Sequence, residues 1–120
     1  MQFKPLTIAL ALAVGIAAPA LAQPNAQAGQ ALFDVQCKAC HLSPIAPPLK
    51  GVAGRSVATV PGFAFYSDAL KAKSGQKWTD ANLNAYLTSP PAWAPGTKMM
   101  LPVPDAANRA NIIAYLKTLK

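Results

Sequence analysis

The sequence predicts an all-α domain of about four short helices connected by long loops. Apolar residues recur at spacings of three and four along several stretches, which is the period of a helix with one buried face. No stretch shows the strict alternation of apolar and polar residues that is typical of a half-buried strand. Prolines and glycines cluster between the periodic stretches, where they favour loops.

Each predicted helix has, at or near its start, a side chain that can accept a hydrogen bond from its first turn. The predicted helices cover residues 25–37, 65–74, 80–88 and 105–119, and the candidate caps are Asn25, Ser67 or Asp68, Thr79 and Asp105. The third helix is expected to stop at Ser89-Pro90-Pro91. Two loops, 42–62 and 92–104, are long for a domain of this size, and long ordered loops are usually functional.

The first 22 residues have the composition of a secretory signal peptide. Lys4 is followed by an uncharged run over 6–18 and by a small-x-small triplet that ends at Ala22. The sequence therefore predicts export, cleavage after Ala22 and a mature domain over 23–120. The alternative is an uncleaved membrane anchor, but residues 6–22 are at the short limit for a spanning helix and no basic cluster follows them.

The mature chain is small and basic. Loss of Lys4 with the leader leaves ten Lys and Arg residues against four Asp residues, a formal charge of +6. A positive balance favours acidic partners. Nucleic acid is the other common partner of a basic chain, but export argues against it and no nucleic-acid motif is present.

The segment from Cys37 to His41 has the spacing by which a c-type haem is attached. On a helical turn, Cys37 and Cys40 project to nearly the same side, so each sulfur can add to one vinyl group of the porphyrin. His41 can then offer an imidazole nitrogen to the iron. A redox dithiol does not require the histidine, a zinc site needs about four ligands, and the remaining alternative is a chance spacing. The sequence thus predicts helices and loops wrapped around one covalently attached haem.

A second axial ligand is expected for a haem that only carries electrons. His41 is the single histidine, so a methionine is the favoured donor. Met1 leaves with the leader, and the candidates that remain are Met99 and Met100, both in the loop over 92–104. A methionine can also simply fill a core, and the spacing alone does not separate the two candidates.

Further segments occur in a characteristic order along the chain. They are Gly29 with Phe33, Cys37 to His41, Pro47-Pro48-Leu49 with Gly51 and Gly54-Arg55, Pro61-Gly62-Phe63, Trp78, Tyr86-Leu87, Pro95-Gly96-Thr97-Lys98-Met99, and Tyr115. In this order the chain resembles the class I cytochromes c, over nearly all of the mature domain. The resemblance implies the class I cytochrome c fold and selects Met99 over Met100 as the axial ligand.

The resemblance also implies roles for residues around the haem. The Pro47 carbonyl would accept the free imidazole N–H of His41, which orients the ring. Arg55 and Trp78 would hydrogen-bond a buried propionate, and Tyr86 would lie near the ligand sulfur. The ordinary alternatives are a surface charge for Arg55 and core aromatics for the other two.

The chain departs from the family pattern at two places. Residues 100–104 replace the usual aromatic and glycine after the ligand, so the wall at that haem edge should be stiffer. Lysines expected near the haem edge are also few: Lys98 is one candidate, and Lys38 and Lys50 are the others.

The function implied is that of a monomeric periplasmic electron carrier rather than an enzyme. It would pass single electrons between a donor dehydrogenase or complex and a terminal acceptor through redox partners with acidic docking surfaces. Two alternatives remain open: a haem enzyme or small-gas sensor with a labile sixth ligand, and an electron-transfer subunit held by a periplasmic dehydrogenase.

Overall fold

The computed structural model describes residues 1–5, 9–15 and 23–120, and its regular structure is helical. Six helices are present in the described residues: α1 Ala26–Gln36, α2 Lys38–His41, α3 Asp68–Lys71, α4 Asp80–Thr88, α5 Pro90–Trp93 and α6 Ala106–Leu116. The β structure of this part is one isolated antiparallel bridge, between Ser56 and Lys77. The predicted all-α class is therefore confirmed.

The predicted caps hold the helix starts. The side chains of Asn25, Thr79 and Asp105 accept from the backbone N–H three residues ahead, at 3.0, 3.1 and 2.8 Å. Ser67, rather than Asp68, caps α3 through a bond of 3.2 Å from the Leu70 amide. Local sequence was sufficient here because cap and amide lie within one turn.

Three helix boundaries differ from the prediction. The second predicted helix is reduced to the single turn α3, and the last helix ends at Leu116 rather than at residue 119. The predicted loop at 92–104 begins later, because α5 occupies 90–93 with prolines at its first positions. Proline is compatible with the first turn of a helix, where its missing N–H would have no intrahelical partner. The stop at Ser89 is confirmed, but a new helix follows it at once.

Helices α1 and α6 cross at Gly29 and form the centre of the fold. A Cβ atom added at Gly29 would lie 1.8 Å from the Asn111 carbonyl oxygen, so only glycine permits this approach. One turn later Phe33 packs on Tyr115, with ring centroids 5.1 Å apart. The contact joins the segment that leads into the Cys37 motif to the end of the chain.

The N-terminal prediction concerns a part of the chain that is described only in pieces. The predicted cleavage point after Ala22, and much of the run before it, lie outside the described residues. In the residues that are described, no helix combines the length and the apolar character that a membrane crossing requires.

Candidate functional site

A largely apolar cleft of about 290 Å³ lies between the helices and the two long loops. Most of its lining is aliphatic or aromatic, and every predicted site residue borders it. Its chemically distinctive lining residues are Cys37, Cys40, His41, Arg55, Trp78, Tyr86 and Met99. The fold thus brings together side chains that the sequence separates by as many as 62 positions.

The two cysteines lie at the junction of α1 and α2. Cys37 lies between the two helices, as the C-cap of α1 and the N-cap of α2, and its amide donates to the Phe33 carbonyl at 2.9 Å. Cys37 is buried and Cys40 is exposed, and the two are not joined by a disulfide. Burial, with a smaller contribution from Cys40, raises the pKa of the Cys37 thiol. Both sulfurs therefore border one cleft from a single turn of chain, as two thioether bonds to one porphyrin require.

The His41 imidazole is fixed by the loop that follows it. Its Nδ1 lies 2.7 Å from the Pro47 carbonyl oxygen, the contact that the resemblance implied. A carbonyl can only accept, so Nδ1 carries the proton and Nε2 keeps its lone pair. Burial lowers the pKa of His41, although the bond to Pro47 opposes this shift. A neutral imidazole with a fixed tautomer is the form that binds iron.

The loop that carries both candidate methionines forms another wall of the cleft. Met99 is half-buried, whereas Met100 is 71% exposed. Before them, Thr97 is buried and its hydroxyl lies 2.7 Å from that of Tyr86. Tyr86 thus holds the start of this loop through Thr97, a contact that sequence reasoning did not predict. Burial raises the pKa of Tyr86, and the bond to Thr97 opposes the shift.

The Arg55 side chain has one buried hydrogen-bond donor that is available to a bound group. Its two terminal nitrogens donate to the carbonyls of Lys50 and Pro48 at 2.9 and 3.3 Å. Its Nε is buried and finds no hydrogen-bond partner among the described residues. Burial also lowers the pKa of this guanidinium, with Tyr66 opposing the shift. An unpaired buried donor is unfavourable, so an anionic group of the haem fits this position.

Aromatic rings pack together behind the cleft. Trp78 stacks on Trp93 with centroids 5.1 Å apart, and Tyr86 contacts both rings at 5.1 and 5.6 Å. Lys73 places its ammonium 4.4 Å from the Trp93 ring centroid. Trp93 did not figure in the sequence prediction because it was assigned to a loop.

These features fit a covalently held haem. The residues present supply two thiols, one oriented imidazole, a thioether and an unpaired buried donor around one apolar space. The fold and site together define a small helical haem-binding protein.

Comparison with known proteins gives the same class. The family model described as Cytochrome c matches residues 26–120. "Cytochrome c-type cyt cy" of Rhodobacter capsulatus is 49% identical over 106 residues, covering 84% of this chain and 52% of that protein. "Cytochrome c2" of Rhodoblastus acidophilus is 45% identical over 100 residues, covering 78% of this chain and 91% of that protein. The solved structure of cytochrome cH from Methylobacterium extorquens superposes with a TM-score of 0.70 at 41% identity, covering 78% of this chain and 98% of that one.

The chain belongs to the cytochrome c family. It accordingly has one covalently bound haem c, and the predicted family and fold are confirmed.

Proposed function

We propose that this protein is a periplasmic electron carrier, not an enzyme, whose haem iron is ligated by His41 and Met99. The observation that carries the proposal is the shared cleft, which is bordered by the oriented His41 imidazole, the two thiols and the half-buried Met99. When bound, haem supplies a one-electron couple at iron. The relatives named cytochrome c2 support a carrier role.

The chain's own residues prepare the cleft for that role. The Pro47 carbonyl holds His41 in one orientation. The Tyr86–Thr97 bond holds the loop from which Met99 borders the cleft. Rigid ligands are useful to a carrier, because a site that changes little between oxidation states needs little reorganisation. A His/Met pair also raises the reduction potential, which suits the oxidising end of a respiratory chain.

Covalent attachment and the mature start can be tested together. Protein matured with haem in a periplasm should keep its colour through acid-acetone extraction, and its mass should equal the chain from Gln23 plus one haem. We propose Cys37 and Cys40 as the attachment points, so Cys37→Ala should leave one thioether. A colourless chain with a Cys37–Cys40 disulfide would contradict attachment, and a mass that includes residues 1–22 would contradict cleavage.

The proposed sixth ligand is tested by comparing two neighbouring methionines. The thioether bond to ferric iron gives a weak band at the red end of the visible spectrum. Met99→Ala should abolish this band and let carbon monoxide bind the ferrous protein, and the matched control Met100→Leu should retain the band. A wild-type protein that lacks the band and binds carbon monoxide freely would favour the haem enzyme or gas sensor instead.

We also propose that redox partners dock through acidic surfaces and that the carrier is monomeric. The basic balance of the chain supports acidic partners, but two of the candidate lysines have internal contacts. The Lys38 ammonium lies 3.9 Å from an Asp34 carboxylate oxygen, and Lys98 donates to the Phe65 carbonyl at 2.9 Å. Lys38 therefore has an acidic partner within the chain, whereas the internal partner of Lys98 is a neutral oxygen. Association measured by sedimentation would test the monomer, and co-purification with a dehydrogenase would favour the subunit role.

A further inference from the structure

Arg109 is a buried cation that contacts the loop after Met99. It lies on α6 and is only 9% exposed. Its Nη1 donates to the carbonyls of Val103 and Pro104 at 2.9 and 2.8 Å, and its Nε donates to the Asn84 side-chain oxygen at 2.8 Å. One guanidinium therefore joins α6, α4 and the loop.

The acceptors of Arg109 are unusual for a buried charge. All three are neutral oxygens, two from the loop backbone and one from an amide side chain. A buried guanidinium needs its donors satisfied, so a movement of the loop that withdrew the Val103 and Pro104 carbonyls would leave a charge poorly solvated. The loop end is thus held more strongly than ordinary backbone bonds would hold it.

The position of the two carbonyls matters for Met99. The backbone of residues 98–102 makes no hydrogen bond to any other described backbone group. The loop is instead held on both sides of this stretch. Before it, the Thr97 hydroxyl bonds to that of Tyr86. After it, Arg109 binds the loop carbonyls, and the Val103 amide donates to the Leu87 carbonyl at 2.7 Å. Since the backbone of residues 98–102 makes no such bonds to the rest of the described backbone, the segment depends for its position on these anchors and on the bond from the Lys98 ammonium to the Phe65 carbonyl.

We propose that Arg109 is a positioning residue that, by holding the Val103 and Pro104 carbonyls, keeps Met99 at the cleft and opposes its displacement from iron. This inference rests on the proposed ligation by Met99. It differs from a general stabilising role, because Arg109 would set the equilibrium between the state in which Met99 is bound to the iron and the state in which Met99 is released.

Displacement of the thioether by added imidazole measures that balance at constant pH. The ferric protein is titrated with imidazole, and loss of the red band reports release of Met99. Arg109→Gln should lower the imidazole concentration at half-loss by about tenfold, the change expected when a charge-assisted bond to the loop is lost in only one of the two states. Asn84→Ala leaves both loop bonds in place but removes the partner of Nε, so it should shift the half-loss concentration in the same direction by less.

The control is Asn111→Ala on the same helix. Asn111 accepts from the Asn25 amide at 2.8 Å and therefore links α6 to α1 rather than to the loop. It should lower global stability without changing the imidazole titration. Equal shifts for Arg109→Gln and Asn111→Ala, or no shift in Arg109→Gln, would overturn the proposal.

Three further outcomes are decisive. If Arg109→Gln does not accumulate as folded protein, Asn84→Ala decides: an unshifted titration overturns the proposal and a shifted one supports it. If the wild type has no red band, Met99 ligation itself fails and this inference fails with it. If the band is present and lost in Met99→Ala but the Arg109 and Asn84 variants titrate as wild type, only the inference fails.

Discussion

Replacing Gly29 by alanine should separate the two helices at the centre of the fold. The added Cβ would lie 1.8 Å from the Asn111 carbonyl oxygen and 2.4 Å from its carbon. Ordinary van der Waals contact begins at 3.4 Å, whereas the added Cβ would lie 1.8 Å from the oxygen. Helices α1 and α6 would therefore have to move apart by about 1.6 Å, the difference between these two distances. Both clashing atoms belong to backbone, which cannot rotate away as a side chain can.

The expected loss of stability follows from the contacts at this crossing. Overpacking of a tight contact reduces the free energy of unfolding by about 1–3 kcal/mol, and a backbone clash belongs at the upper end. The separation also stretches the hydrogen bond from the Asn25 amide to Asn111, at 2.8 Å, which contributes about 1 kcal/mol. Alanine is a better helix former than glycine by about 1 kcal/mol, which offsets part of the loss. The net loss should be about 3 kcal/mol.

Unfolding of the haem-loaded protein in guanidinium chloride measures this loss. The midpoint for Gly29→Ala should fall by roughly 0.5–1 M, given the denaturant dependence of a domain of this size. Gly75→Ala is the matched control, because a Cβ there meets nothing within 4 Å. Its midpoint should stay close to wild type. A Gly29→Ala midpoint equal to or above that of wild type would refute the argument, since helix propensity alone predicts that direction.

Two more predictions concern the cleft and its edge. Tyr86→Phe removes the buried 2.7 Å bond to Thr97, so the free energy of unfolding should fall by about 1–3 kcal/mol. Burial raises the folded pKa of Tyr86, so the contribution of its hydroxyl to stability is present below about pH 10 and is lost as the pH rises through the folded pKa. Over that alkaline range, the stability of the phenylalanine variant should therefore fall less than that of wild type. Parallel curves of stability against pH would contradict this prediction. Lys98→Gln removes a charge and also the bond to the Phe65 carbonyl, whereas Lys98→Arg keeps the charge. Reduction by the anionic hexacyanoferrate(II) should therefore be slower in Lys98→Gln but not in Lys98→Arg. The rate should also fall as salt is added, because the screening length is about 8 Å at 0.15 M. A rate that does not change with salt and is equal in both variants would exclude electrostatic docking at this lysine.

The features that were predictable from sequence depend on short separations along the chain. The attachment motif spans five residues, so its chemistry can be predicted before any fold is known. The caps at Asn25, Thr79 and Asp105 each bond an amide three residues ahead. Such contacts form whenever the local backbone turns, and tertiary packing does not need to be known to expect them.

Other predictions needed knowledge of the family as well as local rules. The contact of His41 with the Pro47 carbonyl and the packing of Phe33 on Tyr115 came from the resemblance, and both are present. The choice of Met99 over Met100 has the same origin. Their different exposure agrees with that choice, but it stays a proposal until the two variants are compared.

The helix α5 shows where local rules misled. Pro90 and Pro91 were interpreted only as the stop of the preceding helix, although proline is compatible with a first helical turn. What selects the helix is the packing of Trp93 against Trp78 and Tyr86. That environment is assembled from residues 7 and 15 positions before Trp93, which is beyond the reach of a single helical turn.

By itself the sequence determined the helical class, the caps at Asn25, Thr79 and Asp105 and the attachment of one haem, because spacing and capping act within a turn of chain. Only the tertiary structure decided which long-range contacts surround the loop over 92–104. Arg109 reaches Asn84 across 25 positions, and Lys98 reaches Phe65 across 33. Neither pair has a local signature, since an arginine or a lysine on a short segment looks like an ordinary surface charge. Arg109 meets Asn84 because α6 packs on α4, and Lys98 meets Phe65 because their segments line the same cleft.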